Sequence, residues 1–477
     1  MPDPAGALDA WERHLCAPVT GRKVICAFEV LAGLTQVVSK LRRWGARRPL
    51  LLADGVGTGP LPAPDEADVE LLEPVPFDTV TEQVRARTRP LSRLSPEVVE
   101  AVERYDPDRG ARWWMSPVTP NEPLLGRSVL GGRPDTADAL ENKVLVDDLL
   151  DAIAAPRPPS RTCGAGYPDL TAATDDVLAR SGATEAVWAG DNRDGVNGGG
   201  DYVRWIRTPD HARAAAEFFA AHCDCVRVSP YLQGVPCSIH GIVLPDGVVV
   251  LRPVELISLL RPLDGRFTYA GLGTSWDPAG SDRDEMRSLA RELGTYLRRT
   301  YGYRGAFGVD GVVTSDGYRV TEVNTRFSGG LTRLAAVAPR AQLELVHVNA
   351  LIGRDVGRAA GDIEERALDL LDATRFVDVV GLSSSPAGAT TMVRVRTDGA
   401  RLEAADVADD AVATVQRGPA GNGTGSFVRL VMDDDTVARG ERCAPYGALL
   451  YEFADRTWAT GFGHVTPPSE AETRSRG

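Results

Sequence analysis

With 477 residues, of which 43% are apolar and 25% charged, the chain has the make-up of a folded protein with room for about three domains. Its formal net charge of −13 argues against nucleic acid or an anionic membrane as the principal partner, and no apolar run reaches spanning length. Lys23, Lys40 and Lys143 are the only lysines, so arginine carries nearly all the positive charge.

The first residues include Asp3, Asp9 and Glu12 and no basic region ahead of an apolar run, so no signal peptide is expected and a cytoplasmic location is the default. Residues 23–28 read as a buried strand, 34–44 as a helix and 49–53 as a second strand, a β-α-β unit that predicts a Rossmann-like layer. The glycines at 55, 57 and 59 lack a phosphate-loop spacing, and Pro60 and Pro62 follow; a connector is expected. A short helix is predicted over 97–104, and Trp113-Trp114 is read as packing between domains. Residues 139–152 have helical periodicity and carry Lys143. Strands are expected at 184–189 and 202–206, with the glycine-rich loop 194–202 ahead of the second. Backbone N–H groups of such a loop can nest around phosphate oxygens, and a long hairpin turn is the alternative.

An Ala-rich helix is predicted over 209–221 and a strand over 225–228, followed by Ser229-Pro230-Tyr231-Leu232-Gln233-Gly234. The hairpin 237–244/248–251 contains His240, read as a packed core histidine. Arg252, Glu255 and Arg261 precede a segment, 265–276, read as a loop; Arg252 or Arg261 can hold an anion by bidentate pairing, or form surface ion pairs. Helices are expected at 284–301, 343–352 and 364–373, and short strands at 377–382, 390–396, 411–416 and 426–431, with a polar tail beyond Val465. The seven scattered cysteines lack a C-x-x-C pair, which argues against zinc and fits small buried thiols.

Residues 302–333 carry the clearest chemistry. Ser315-Asp316-Gly317 interrupts two strand-like runs, which predicts a β-hairpin. A three-residue loop would pair Thr314 with Tyr318 and set Asp310 opposite Glu322, with Glu322 and Asn324 on one face. Opposed carboxylates repel unless a cation lies between them, and few, hard oxygen donors suit Mg²⁺, which keeps waters and takes phosphate oxygens. The hairpin thus reads as a site for a nucleoside triphosphate with its metal.

GAFGVDGVVTSDGYRVTEVNTRFSGG resembles the closing segment of the ATP-grasp superfamily, which ends its nucleotide site on a G-x-F-x-V-D strand, a turn and an E-x-N-x-R strand. The resemblance implies that Asp310 and Glu322 hold one Mg²⁺, that Glu322 and Asn324 hold a second, and that Arg326 touches phosphate or a substrate carboxylate as the catalytic cation. Lys143, in the N-K pair of Asn142-Lys143, would sit near ATP. Asn197, Gly198, Gly199 and Gly200 would form the lid over the triphosphate, and Tyr231 and Leu232 would border the adenine. The sequence departs from the pattern where a lysine normally ends the strand before the lid, leaving Arg193 close by and Arg204 farther on. Val235 and Pro236 stand where a ribose-binding acid is usual. Arg252, Glu255 and Arg261, with Ser328 and Gly329, would border the substrate.

The implied architecture is α/β: a Rossmann-like pre-ATP-grasp domain over 1–138, a two-subdomain ATP-grasp domain over 139–374 with its lid at about 160–225, a small β-rich C-terminal domain over 375–466, and a tail over 467–477. The N-terminal layer, the N-K helix and the added C-terminal domain look most like the peptide ligase of pheganomycin biosynthesis and its relatives. The implied activity is an ADP-forming, ATP- and Mg²⁺-dependent ligase of specialised peptide metabolism. It would join a small carboxylic acid or amino acid to an amine or peptide nucleophile, with neither nucleic acid nor membrane as partner and a homodimer as one assembly. Phosphoryl transfer without ligation, and an ATP-binding module without turnover, stay open as alternatives.

Overall fold

Two β-sheets organise the chain in the computed structural model, which describes residues 4–469 apart from positions 74, 76, 78, 90–93, 135, 406–410, 422–424 and 434–437. The first sheet is five-stranded and parallel, in the spatial order Asp68–Leu71, Leu50–Ala53, Val24–Glu29, Arg112–Trp114, Val129–Leu130. Its central strands are buried nearly throughout because helices cover both faces of a parallel sheet. Helix Leu31–Arg43 supplies one cover, turning Leu31, Leu34, Val38 and Leu41 inward at helical spacing. Trp113 is fully buried here and Trp114 packs on Trp44 with ring centroids 5.5 Å apart, so the pair packs, but within the parallel-sheet layer rather than between domains as expected.

The second sheet is large and mainly antiparallel. Its path runs Gly317–Asn324, Gly305–Thr314, Val235–Val243, Val254–Arg261, Arg266–Gly273, Val377–Ser383, Ser426–Met432, Ala413–Pro419, Thr391–Thr397 and Leu402–Ala404. Helix Gly280–Tyr301 packs Met286, Leu289, Leu293 and Leu297 onto it. A branch made of Arg161–Gly164, Cys225–Pro230, Ala186–Gly190 and Val203–Ile206 joins through the pairing of Arg204 with Arg266, with helices Tyr167–Ser181 and Pro209–His222 contributing to its core.

Several expectations change. Residues 139–152 do not form one helix: Ala137–Leu140 and Val146–Ala152 are separate, because Glu141 turns inward to an arginine cluster and Lys143 follows it towards a cavity. The segment expected as a loop at 265–276 is mostly the strand Arg266–Gly273. Both its edges find backbone partners there, Val254–Arg261 on one side and Val377–Ser383 on the other. The strands expected as a separate C-terminal unit therefore continue the large sheet. A helix not anticipated from the sequence, Ala444–Trp458, covers them with Leu450, Tyr451 and Phe453. Thr466 exchanges two backbone hydrogen bonds with Leu260, and Pro468 reaches a cavity wall; residues 470–477 of the expected tail lie outside the described residues.

Candidate nucleotide and metal site

The hairpin forms with a shorter turn than expected. Thr314 pairs with Gly317, so only Ser315 and Asp316 lie between the strands, and Thr314 Oγ1 donates to Gly317 O at 2.9 Å. The register recovers because Thr321 is extra: Gly311 pairs with Val320 and Asp310 with Glu322, a β-bulge that Thr321 Oγ1 fastens by donating to Asp310 O at 3.2 Å. Asp310 thus lies opposite Glu322, as the sequence predicts, by a different route.

Around this pair the polar groups converge. Asn324 Nδ2 donates to Asp310 Oδ2 at 3.0 Å, while Asn324 Oδ1 is buried without a hydrogen-bond partner among the described residues. Lys143 Nζ donates to Glu322 Oε1 at 2.6 Å. Burial pushes the Asp310 carboxyl up to about 6 and the negative charge of Glu322 adds to the rise, against the Ser238 hydroxyl bonded to it and the charges of Arg326 and Lys143. Two carboxylates and an amide oxygen make an all-oxygen donor set, short of a full coordination shell, which is the pattern of a cation that also binds water and phosphate. Among the described residues no group of three or more His, Cys, Asp or Glu gathers to hold a metal, here or elsewhere, so the hairpin offers two carboxylates and an amide only.

Arg326 is held rather than free. Its guanidinium donates to Glu141, which also takes the Thr325 N–H at 2.8 Å and lies 3.2 Å from Arg133 Nη2. Glu141 is only 4% exposed. Next in the chain, Ser328 caps helix Gly329–Val337 by accepting from Leu331 N. Gly330 has to be glycine, since a Cβ there would lie 2.5 Å from the His240 ring. His240 is buried, which pulls its imidazole down to about 4, so it stands neutral beside Ser238, consistent with a packed histidine.

These groups open into one cavity of about 430 Å³ that also takes in Gly198, Gly199 and Gly200, Tyr231 and Leu232, and Ser328 and Gly329. Val187, Ala189, Val203, Leu256 and Val312 give it apolar walls, the usual mix of a small-molecule site. Tyr231 leans on Trp205 with centroids 5.4 Å apart and donates its N–H to Glu185 O. Gly234 ends this hinge at φ +149°, with room for no Cβ, which would meet Val313 O at 2.1 Å.

The glycine loop is braced from the parallel-sheet side. Arg85, on helix Val80–Thr88, donates to Val196 O at 3.1 Å and to Asn197 Oδ1 at 2.6 Å, and Thr81 exchanges bonds with Gly198. Asn197 borders the cavity, but its amide donates to Asp191 O, so it shapes the loop.

Four residues expected at the site are elsewhere. Arg193 pairs with Asp194 and donates to Ala221 O on the outer side of the loop. Arg252 is buried between Asp277 and Asp372, where two carboxylates offset its charge. Glu255 is fully buried, accepting from Arg442 Nε and from the N–H groups of Cys443 and Ala444, so it fixes the start of the C-terminal helix. Arg261 pairs with Asp264 in its own hairpin. Arg204 is likewise occupied, beneath the Phe218 ring at 4.1 Å. Glu141, Arg85 and Arg227 were not singled out. The one local signal was an arginine between valines in strand Cys225–Pro230, a polar residue on a buried face.

No protein-family model matches the chain. No curated protein sequence matches it either. Solved structures do. Phosphoribosylamine–glycine ligase from Thermotoga maritima aligns at a TM-score of 0.51 and 12% identity, over 90% of this chain and 96% of its own. Biotin carboxylase from Campylobacter jejuni, in a β,γ-ATP complex, aligns at 0.52 and 12% identity over 87% of this chain and 88% of its own. The biotin carboxylase domain of a Hydrogenobacter thermophilus 2-oxoglutarate carboxylase, solved with MgADP, ADP and bicarbonate, aligns at 0.51 and 12% identity over 87% and 86%. At such identities the likeness is one of fold, and it extends over most of both chains: this chain has the ATP-grasp fold.

Proposed function

We propose that the chain is an ADP-forming carboxylate–amine ligase using ATP and Mg²⁺, and, at the finer level, a peptide ligase of the kind its sequence resembles. The observation that carries this is the hairpin: Asp310, Glu322 and Asn324 converge beside Lys143 and Arg326, in one cavity with a glycine loop and an apolar hinge. Asp310, Glu322 and the unpartnered Asn324 Oδ1 are the groups that would hold the metal. When bound, Mg²⁺ neutralises charge developing on the transferred phosphoryl group.

The apolar hinge beside Tyr231 and Leu232 takes the adenine, and the loop Gly198-Gly199-Gly200 covers the triphosphate and excludes water. A substrate carboxylate oxygen attacks the γ-phosphorus of ATP; the bond to the β-phosphate oxygen breaks, giving an acyl phosphate and ADP. The amine nitrogen then attacks the acyl carbon, loses a proton to solvent or a base, and phosphate leaves, so that an amide forms. Arg326, fixed by Glu141, is the donor this reading assigns to the substrate carboxylate and the tetrahedral oxyanion. Its ion pair is an advantage here, since a donor already oriented needs no reorganisation in the transition state.

The test is product mass spectrometry with ATP, Mg²⁺, amino acids and short peptides, alongside ADP release. Amide product with one ADP per bond supports the reading. Phosphorylated acid that ignores every amine indicates phosphoryl transfer, and ATP binding without turnover across the panel indicates a binding module.

A further inference from the structure

A nucleoside triphosphate brings about four negative charges at neutral pH, and the basic side chains lining the cavity among the described residues are Lys143, Arg227 and Arg326. Lys143 and Arg326 stand at the hairpin, ion-paired with Glu322 and Glu141 as Arg227 is with Asp147, so all three are held cations and differ in the element that carries them. The strand leading into the glycine loop, Ala186–Gly190, offers the cavity only Val187 and Ala189. Phosphate groups lying under the glycine loop therefore need a cation from another element.

We infer that Arg227 is that cation, a phosphate-binding residue held in place by Asp147; the inference rests on the nucleotide-binding reading above. Arg227 pairs directly across the sheet with Ala189, so its side chain rises on the same face as the residue that flanks the loop. It is only 4% exposed and still reaches the cavity wall. Asp147, at the start of helix Val146–Ala152, accepts from Arg227 Nε at 3.0 Å and lies 2.8 Å from Nη2. Nη2 has no hydrogen-bonding partner of good geometry, and none is recorded for Nη1 among the described residues. One edge of the guanidinium is thus clamped and the other keeps donors to offer, the arrangement that lets arginine bind phosphate by a fork. Asp147 does not depend on Arg227 alone: Ser160 Oγ donates to its second oxygen at 2.6 Å and Arg157 lies 3.6 Å away. A partner that remains satisfied when Arg227 changes is what makes the test practicable.

The experiment is calorimetric titration of adenosine, AMP, ADP and ATP, with Mg²⁺, into the full chain and into its Arg227→Gln and Arg227→Lys variants, with circular dichroism melts of each. The expected result is that Arg227→Gln weakens ATP about 10- to 100-fold, the loss of one charge-assisted contact, while adenosine binding is unchanged and Arg227→Lys recovers most of the difference. Equal losses for adenosine and ATP, or an unchanged ATP affinity, would overturn the inference by giving Arg227 a structural role only. A wild-type chain that binds no nucleotide would instead remove the underlying reading, and the inference with it.

Discussion

Asp310→Asn separates the proposed metal site from an ordinary surface hairpin, because it should make the metal-free protein more stable while destroying its response to nucleotide. The Asp310 carboxyl rises from 3.8 to about 6, chiefly through burial and then through Glu322. About two units correspond to roughly 3 kcal/mol against the ionised form at neutral pH. Asp310 keeps some exposure, so this is an upper bound. Asparagine is close in shape, and its amide oxygen can still accept from Asn324 Nδ2, so the substitution removes the charge with little loss of contact. The sign in pH follows from the raised value: the folded protein holds the proton more tightly than the unfolded chain, so wild-type stability falls as pH rises from about 4 to about 6 and the penalty is complete above that. The variant lacks this term. The assay is thermal melting at pH 5 and pH 7.5, with and without ATP and Mg²⁺. The variant should melt a few degrees higher than wild type at pH 7.5 without ligand, with a smaller gap at pH 5, given about 2–4 °C per kcal/mol for a sizeable cooperative unit. ATP with Mg²⁺ should raise the wild-type melting temperature and leave the variant's nearly unmoved. A variant that is less stable at pH 7.5, or that responds to ATP and Mg²⁺ as wild type does, refutes the reasoning.

Glu322→Gln is expected to leave the fold intact and lower kcat by more than about 100-fold, the scale of losing a group that stabilises transition-state charge; ligation at the wild-type rate by a purified, folded variant would remove the residue from the site. Glu141→Gln breaks a buried ion pair with Arg326 and should cost about 3–5 kcal/mol, read as a fall in the urea midpoint; an unchanged midpoint would show that Arg326 does not depend on it. Glu255→Gln should lower stability by about 1–3 kcal/mol, since one amide oxygen replaces two carboxylate oxygens that accept from Arg442, Cys443 and Ala444. KM for the carboxylate substrate should not change selectively, and a selective rise without loss of stability would return Glu255 to the substrate site.

The sequence made the strands at 24–29, 50–53 and 235–243 and the helix at 280–301 legible to within a few residues, because β-branched runs and 3.6-residue periodicity are local properties. Arg266–Gly273 was missed for an equally physical reason. RFTYAGLG carries two glycines and little alternation, and only the neighbours on both edges make it a strand. The break at 141–145 was invisible because helical spacing continues through it, while the force that opens it, burial of Glu141 against Arg326, comes from a residue 185 positions away. The hairpin shows that a register can be read correctly for incomplete reasons: the turn is one residue shorter than the glycine suggested and the bulge at Thr321 supplies the difference.

What the sequence alone determined is therefore the presence of a carboxylate pair on facing strands, with an amide two residues on, since strand alternation and turn chemistry act over a few residues. What only the tertiary structure decided is which charged side chains share a cavity with that pair. Arginines are spread over the whole chain, and composition does not say which are neutralised in place. Packing ties Arg193, Arg252 and Arg261 to nearby carboxylates, and brings Lys143, Arg326 and Arg227 to one cavity. The partner of a charge is set by the fold, and the cost of burying it unpaired is what makes that choice strict.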